Sequence, residues 1–136
     1  MPVQVVWDDD EKRILRQIYS GHVTLQDYYA ATDQVAEMAS QVSHVVHSVM
    51  DRSQIISTPN SALPALLYAN KHLPENIELR LIICPSVYTR MITNIGRRIA
   101  PRVIHHIHFA ATLAEAHQII RQHMNVVDRL HQQIQG

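Results

Sequence analysis

The sequence predicts a single-domain α/β protein: a mixed, mostly parallel five-stranded sheet that opens on an antiparallel hairpin and carries four main helices, in the order ββαβαβαβα. Two observations predict it. From residue 44 onward, short apolar and β-branched runs alternate with longer stretches of helical period, the pattern that parallel strands joined by helical crossovers produce. The chain also has 136 residues, 46% of them apolar and 18% charged, which suits one core and is short for two. The domain is expected over residues 1–123, with 124–136 prolonging the last helix rather than forming a second unit.

Val3 to Trp7 and Ile14 to Tyr19 flank "DDDEKR" and read as a hairpin with an acidic tip in water. Thr24 precedes "LQDYYAATDQVAEMA", and with Asp27 three residues on it makes a capping box using Asp in place of Glu. Leu25, Tyr28, Tyr29, Thr32, Val35, Ala36 and Ala39 then recur at helical spacing and should form the buried stripe. His44 to Met50 is short and valine-rich, hence a strand, which Asp51 is expected to close. The next helix is expected to begin at Pro64, since proline suits the first helical position, and to turn Leu63, Leu66, Leu67 and Leu73 inward before Pro74 stops it.

"LRLIIC", Leu79 to Cys84, has the near-continuous apolar character of a strand covered on both faces and is the expected sheet centre. Ser86 opens a helix in which Val87, Met91, Ile95 and Ile99 share one face, ended by Pro101. Val103 to Phe109 reads as the last strand, and Thr112 with Glu115 makes a capping box for the last helix. From Leu113 to about Ile134 that helix is ~33 Å long, so it should overhang a sheet of six- or seven-residue strands. Met124, Val127, Leu130 and Ile134 carry the apolar stripe into the overhang, and the expectation is that they meet a second copy in a homodimer.

Composition narrows the function. Lys plus Arg equals Asp plus Glu at twelve each, so no global field draws in nucleic acid or anionic lipid. No basic segment with an apolar core opens the chain, and no apolar run is long enough for membrane insertion; a cytoplasmic protein is the expectation. One cysteine permits no internal disulfide. No GxGxxG, GxxxxGK[ST], HExxH, GxSxG or CxxC occurs, which disfavours nucleotide-dependent and familiar hydrolytic catalysis, and no cofactor is implied.

The order of elements, with "ILRQIYSGHVTLQDYYAA", "VVHSVMDRS" leading into "PNSALPALL", and "FAATLAEAHQII", resembles the STAS domains and their SpoIIAA-like relatives over roughly residues 3–123. The resemblance implies a non-enzymatic regulatory or protein-interaction module. It also implies a phosphorylatable serine in the loop before the second helix, the place held by Ser61, here with Asn60 in place of a first serine and Ala62 and Pro64 in place of glycines. Ser61, Asn60, Thr58 and Asp51 are therefore the expected partner or phosphorylation loop. Ser57, Thr58, Asn60 and Ser61 are more simply explained as turn formers. The same fold group includes Sec14-like lipid-transfer proteins, so the alternative is a small-ligand or lipid-binding module; Tyr28, Tyr29 and Tyr88 would line its pocket, or simply fill the core.

Two further groups invite chemistry. His106 and His108 in "VIHHIHF" would share a strand face and offer two imidazoles to a metal, although no third ligand flanks them. Cys84 would end a strand just before a helix, where a thiolate can be stabilised, but a lone cysteine is usually an inert hydrophobe.

Overall fold

The computed structural model describes residues 2–59, 62–104 and 106–135, and Asn60, Ser61 and His105 lie outside them. The elements run β1 (Val3–Trp7), β2 (Ile14–His22), α1 (Leu25–Ser40), β3 (Val46–Ser57), α2 (Ala62–His72), β4 (Ile77–Ile83), α3 (Val87–Ile99), a single turn α4 (Pro101–Ile104), β5 (Ile107–Ala110) and α5 (Leu113–Gln135). The five strands lie in chain order, β1 pairing antiparallel with β2 and every later pair being parallel. The expected fold class therefore holds. The central strand is β3 rather than β4, because each parallel strand is laid down on the free edge left by the one before.

The two faces of the sheet are covered unequally. Leu15 and Tyr19 of β2 and Val46 of β3 pack beneath α1, against Tyr28, Ala31, Val35 and Ala39. On the opposite face Val49, Leu79, Leu81 and Ile83 meet Ala116 and Ile120 of α5, which covers that side alone. Each fully buried valine, leucine or isoleucine among them contributes roughly 1.5–3 kcal/mol of transfer free energy. The β2–β3 and β3–β4 ladders hold the layers in register. Asn76 adds a clamp: its Nδ2 donates to Ala39 O at 2.9 Å and His44 O at 3.1 Å, tying the end of α1 to the start of β3.

α1 starts where expected, with Thr24 Oγ1 accepting from Asp27 N at 3.2 Å and Asp27 Oδ2 accepting from Thr24 N at 2.8 Å. Other boundaries move. β3 runs through Asp51 to Ser57, because β2 continues past Gly21, a bulge at φ +69°, and offers ladder partners as far as His22. α2 begins at Ala62, two residues before Pro64, whose missing N–H falls in the first turn where no intrahelical partner exists anyway.

The expected last strand loses its first half. Pro101–Ile104 form a helical turn, so β5 keeps only Ile107–Ala110, and His106 lies outside it. The largest difference concerns which way apolar stripes face. Leu63 and Leu67 are exposed, and in α3 Val87, Met91, Ile95 and Ile99 are 85, 47, 46 and 78% exposed. The side of α3 that meets the sheet carries Thr93, buried to 3%, with Thr89 and Ile92 beside it. Periodicity correctly gave the stripe but not its direction. A helix buries the face that the surroundings can accommodate, and here those surroundings include the polar groups of Ser48, Arg52 and Arg80.

Candidate functional site

These surroundings are a cavity of about 180 Å³ between the sheet and α1, α2 and α3. Its floor follows from strand alternation, in which every second residue shares a face. Gln17 and Tyr19 come from β2, Ser48, Met50 and Arg52 from β3, and Arg80 and Ile82 from β4. Tyr28 and Thr32 of α1, Leu66 and Ala69 of α2, and Tyr88, Thr89 and Thr93 of α3 supply walls. Ser86 caps α3 through Thr89 N, which accounts for the placing of that helix's first turn beside the cavity.

The cavity walls carry two cations and, among the described residues, no carboxylate. Arg80 sits in the middle of the most apolar strand. Its Nη1 donates to Asn70 Oδ1 at 3.1 Å, and desolvation draws the guanidinium down to about 10. Arg52 donates from Nη1 to Tyr28 Oη at 2.7 Å, lies 5.9 Å from the Tyr28 ring centroid, and has a buried Nε with no hydrogen-bond partner among the described residues. Tyr28 Oη in turn is 2.9 Å from Thr58 Oγ1, so the chain leaving β3 is tied to the cavity wall. Deeper in, Tyr19 Oη donates to Gln17 Oε1 at 2.5 Å, and burial raises the phenol pKa well above its ordinary value, keeping it a neutral donor.

Chemically the arrangement can orient a small molecule. It holds guanidinium and hydroxyl donors beside the apolar side chains of Met50 and Ile82 on the floor and Leu66 on the wall, the arrangement of a pocket that orients a small molecule by a few polar groups. Of the expected loop residues that the structure describes, Thr58 lines it and Asp51 does not. Asp51 points to the other face of the sheet from Arg52 and accepts from Ser53 Oγ at 2.6 Å and Ser53 N at 3.1 Å. Tyr28 and Tyr88 line the cavity as the ligand-binding alternative required, whereas Tyr29 stacks on Tyr68 with centroids 4.3 Å apart. Arg52 and Arg80 were missed by sequence reasoning. The available signal was an arginine inside "LRLIIC", a charge on a strand that reads as covered on both faces.

The remaining candidates fall elsewhere. His108 is exposed on β5 and His106 precedes that strand, so the two do not share a strand face. No group of three His, Cys, Asp or Glu among the described residues is disposed to hold a metal ion. Cys84 is exposed at the end of β4 with φ +54°, in the tight turn that hands the chain to Ser86. On α5, Met124 and Val127 are half-buried and Leu130 and Ile134 are 52 and 82% exposed, so the apolar stripe does run into solvent. Among the described residues no helix is long and apolar enough to cross a membrane.

No family model and no curated protein matches the sequence. Solved structures do. The unphosphorylated anti-sigma factor antagonist SpoIIAA superposes with a TM-score of 0.62 at 12% identity, covering 88% of this chain and 96% of its own. An uncharacterised DUF3478-family protein from Shewanella loihica, described as having a SpoIIAA-like fold, gives 0.56 at 13% identity over 85% of this chain and 90% of its own. The chain thus has the SpoIIAA-like, STAS-type α/β fold that its element order resembled.

Beneath α5, on the face opposite the cavity, lies a pH-sensitive contact. His47 is buried, its Nδ1 accepts from Leu79 N at 3.1 Å, and its ring meets His123 edge-on at 5.6 Å, with His123 bonded to Glu78. Burial chiefly, opposed by Glu78 and assisted by His123, Arg13 and His106, lowers His47 to about 4. The unfolded chain takes up this proton near 6.5 and the folded one only near 4. Stability should therefore be full above about pH 6.5 and fall as pH drops to about 4, by on the order of 2 kcal/mol. Urea denaturation of wild type and His47→Gln across that range measures it: the wild-type midpoint should fall more steeply.

Proposed function

We propose that this protein is a non-enzymatic binding module whose working part is the cavity between the sheet and α1–α3, and that its ligand is a small amphipathic anion. The observation that carries this reading is Arg80: a desolvated guanidinium on the cavity floor, hydrogen-bonded to a neutral amide and facing no carboxylate on the cavity walls. A half-buried cation with no carboxylate beside it on the cavity walls lowers stability, and a ligand that supplies the counter-charge recovers that cost on binding. A cavity of about 150 Å³ holds benzene, so about 180 Å³ admits an apolar body of comparable size and excludes a whole phospholipid. Aryl and short acyl carboxylates fit, the carboxylate matching the guanidinium fork.

Titration calorimetry with benzoate and hexanoate, against benzyl alcohol and hexanol, tests this. The acids should bind and the alcohols should bind at least tenfold more weakly. Arg80→Met should weaken acid binding by roughly 10- to 100-fold, the worth of a charge-assisted hydrogen bond, while leaving the melting temperature of the ligand-free protein unchanged or higher. Acids and alcohols binding alike, or a clear loss of stability in Arg80→Met, would count against it.

A regulatory reading of the neighbouring loop is supported by the Thr58–Tyr28–Arg52 chain, which gives the segment after β3 a direct connection to the cavity. On this reading Ser61, with Asn60 and Thr58, forms a partner-binding or phosphorylation element in the place that SpoIIAA-like regulators use. Ser61→Asp should change which partners are captured from a lysate of the source cells while leaving the melting temperature within about a degree. Capture identical to wild type would remove the regulatory role.

The exposed end of α5 supports a homodimer formed through Met124, Val127, Leu130 and Ile134, on the side of the sheet away from the cavity. A chain ending at His123 should then scatter light as a particle of half the wild-type mass. An unchanged mass per particle, once the lost residues are allowed for, would rule the contact out.

A further inference from the structure

We propose that the outer face of α2 and α3 is a docking surface for anionic lipid bilayers. α3 is amphipathic in an inverted sense. The face toward the sheet carries Thr89 and Thr93, while Val87, Met91, Ile95 and Ile99 form a stripe along its solvent side. The four-residue spacing keeps that stripe within about a third of the helix circumference. Leu63 and Leu67 of the adjoining α2 are exposed as well. Apolar side chains on two neighbouring helices in water mark a surface that is covered in use.

Charge identifies the occupant. The chain is neutral overall, but residues 52–74 and 79–114 contain no Asp or Glu, while they hold seven of the twelve Lys and Arg residues: Arg52, Lys71, Arg80 and four arginines between 90 and 102. Arg52 and Arg80 face the cavity; Lys71, Arg90, Arg97 and Arg98 are exposed on α2 and α3. Arg90 and Arg97 lean on the Phe109 ring at 5.2 and 5.9 Å, which sets them on the β5 flank of the stripe. The acidic hairpin tip, residues 8–11, lies at the β1–β2 edge, the far side of the sheet.

An apolar stripe bordered by the cations of two segments that contain no acid, with Asp33 of α1 reaching α2 through Tyr68, is the pattern of a helix lying in a bilayer interface, its side chains among the acyl chains and its arginines at the headgroups. A second copy of this chain is a poor occupant, since two such faces would bring like charges together. The surface stands independently of the cavity reading: a variant that abolishes ligand binding should leave docking intact.

Co-sedimentation with vesicles of phosphatidylcholine alone, and of phosphatidylcholine with about a third phosphatidylserine, tests the proposal. Wild type should pellet with the anionic vesicles only and be released as salt is raised from about 0.05 to 0.5 M. Arg98→Glu should weaken binding roughly five- to tenfold, and Ile95→Glu combined with Ile99→Glu should reduce it at least as far, with unchanged circular dichroism. Arg80→Met should pellet as wild type. Equal sedimentation with neutral vesicles, no sedimentation with either, or anionic binding indifferent to both α3 variants would overturn it. So would a dimer in solution that Ile95→Glu dissociates, which would make a second copy the occupant.

Discussion

A guanidinium on the floor of a sheet cannot be packed over with apolar side chains at acceptable cost, and much of this architecture follows from Arg80. The strand that carries it presents Leu79, Leu81 and Ile83 to α5, which closes on them tightly. On the alternate face, Arg80 and its neighbours Ser48, Gln17 and Arg52 leave the three covering helices without a continuous apolar surface to seal against. Hydroxyl-bearing residues of α1 and α3 line the gap instead. A cavity persists because closing it would bury unpaired polar groups, each costing a few kcal/mol.

The same constraint orients α3. A helix with one apolar and one polar face normally turns the apolar one inward. Here the inward side borders a cavity whose floor is partly charged, so Thr89 and Thr93 are the compatible neighbours, and the apolar stripe is displaced to the surface. The displaced stripe and the cavity are thus two faces of one short helix, joined to the sheet by the Ser86 cap and the strained turn at Cys84. Thr58, bonded to Tyr28, places the end of β3 in contact with the same cavity from the other side.

How much of this the sequence disclosed depended on how local each feature was. Thr24 and Asp27 fix the start of α1 by bonds spanning three residues, and the capping box could be read directly. The end of β3 could not, because Asp51 to Gln54 look like a strand stop, and only the parallel partner supplied by β2 beyond Gly21 extends the ladder. Pro101 announced the end of α3 but not the helical turn that follows and takes Val103 and Ile104 out of β5. Element order was legible because apolar period and punctuation survive such shifts. The cavity was not, since its walls come from three strands and three helices far apart in sequence.

Arg80 shows where a closer physical reading would have gained most. A strand as apolar as "LRLIIC" is credible as a doubly covered strand only if its one charge has somewhere to go. The sequence offers no nearby acid: Glu78 faces the α5 side with His123, and the next carboxylate after it is Glu115. An arginine half-buried on a covered strand without a counter-ion in its own stretch of chain leaves three options: a carboxylate brought from afar, water, or a ligand. The fold brings Asn70, a neutral amide, and among the described residues no carboxylate lines the cavity. The absence of acid from residue 79 to 114 is therefore one fact with two consequences, a cavity that favours an anion inside and a surface that favours anions outside.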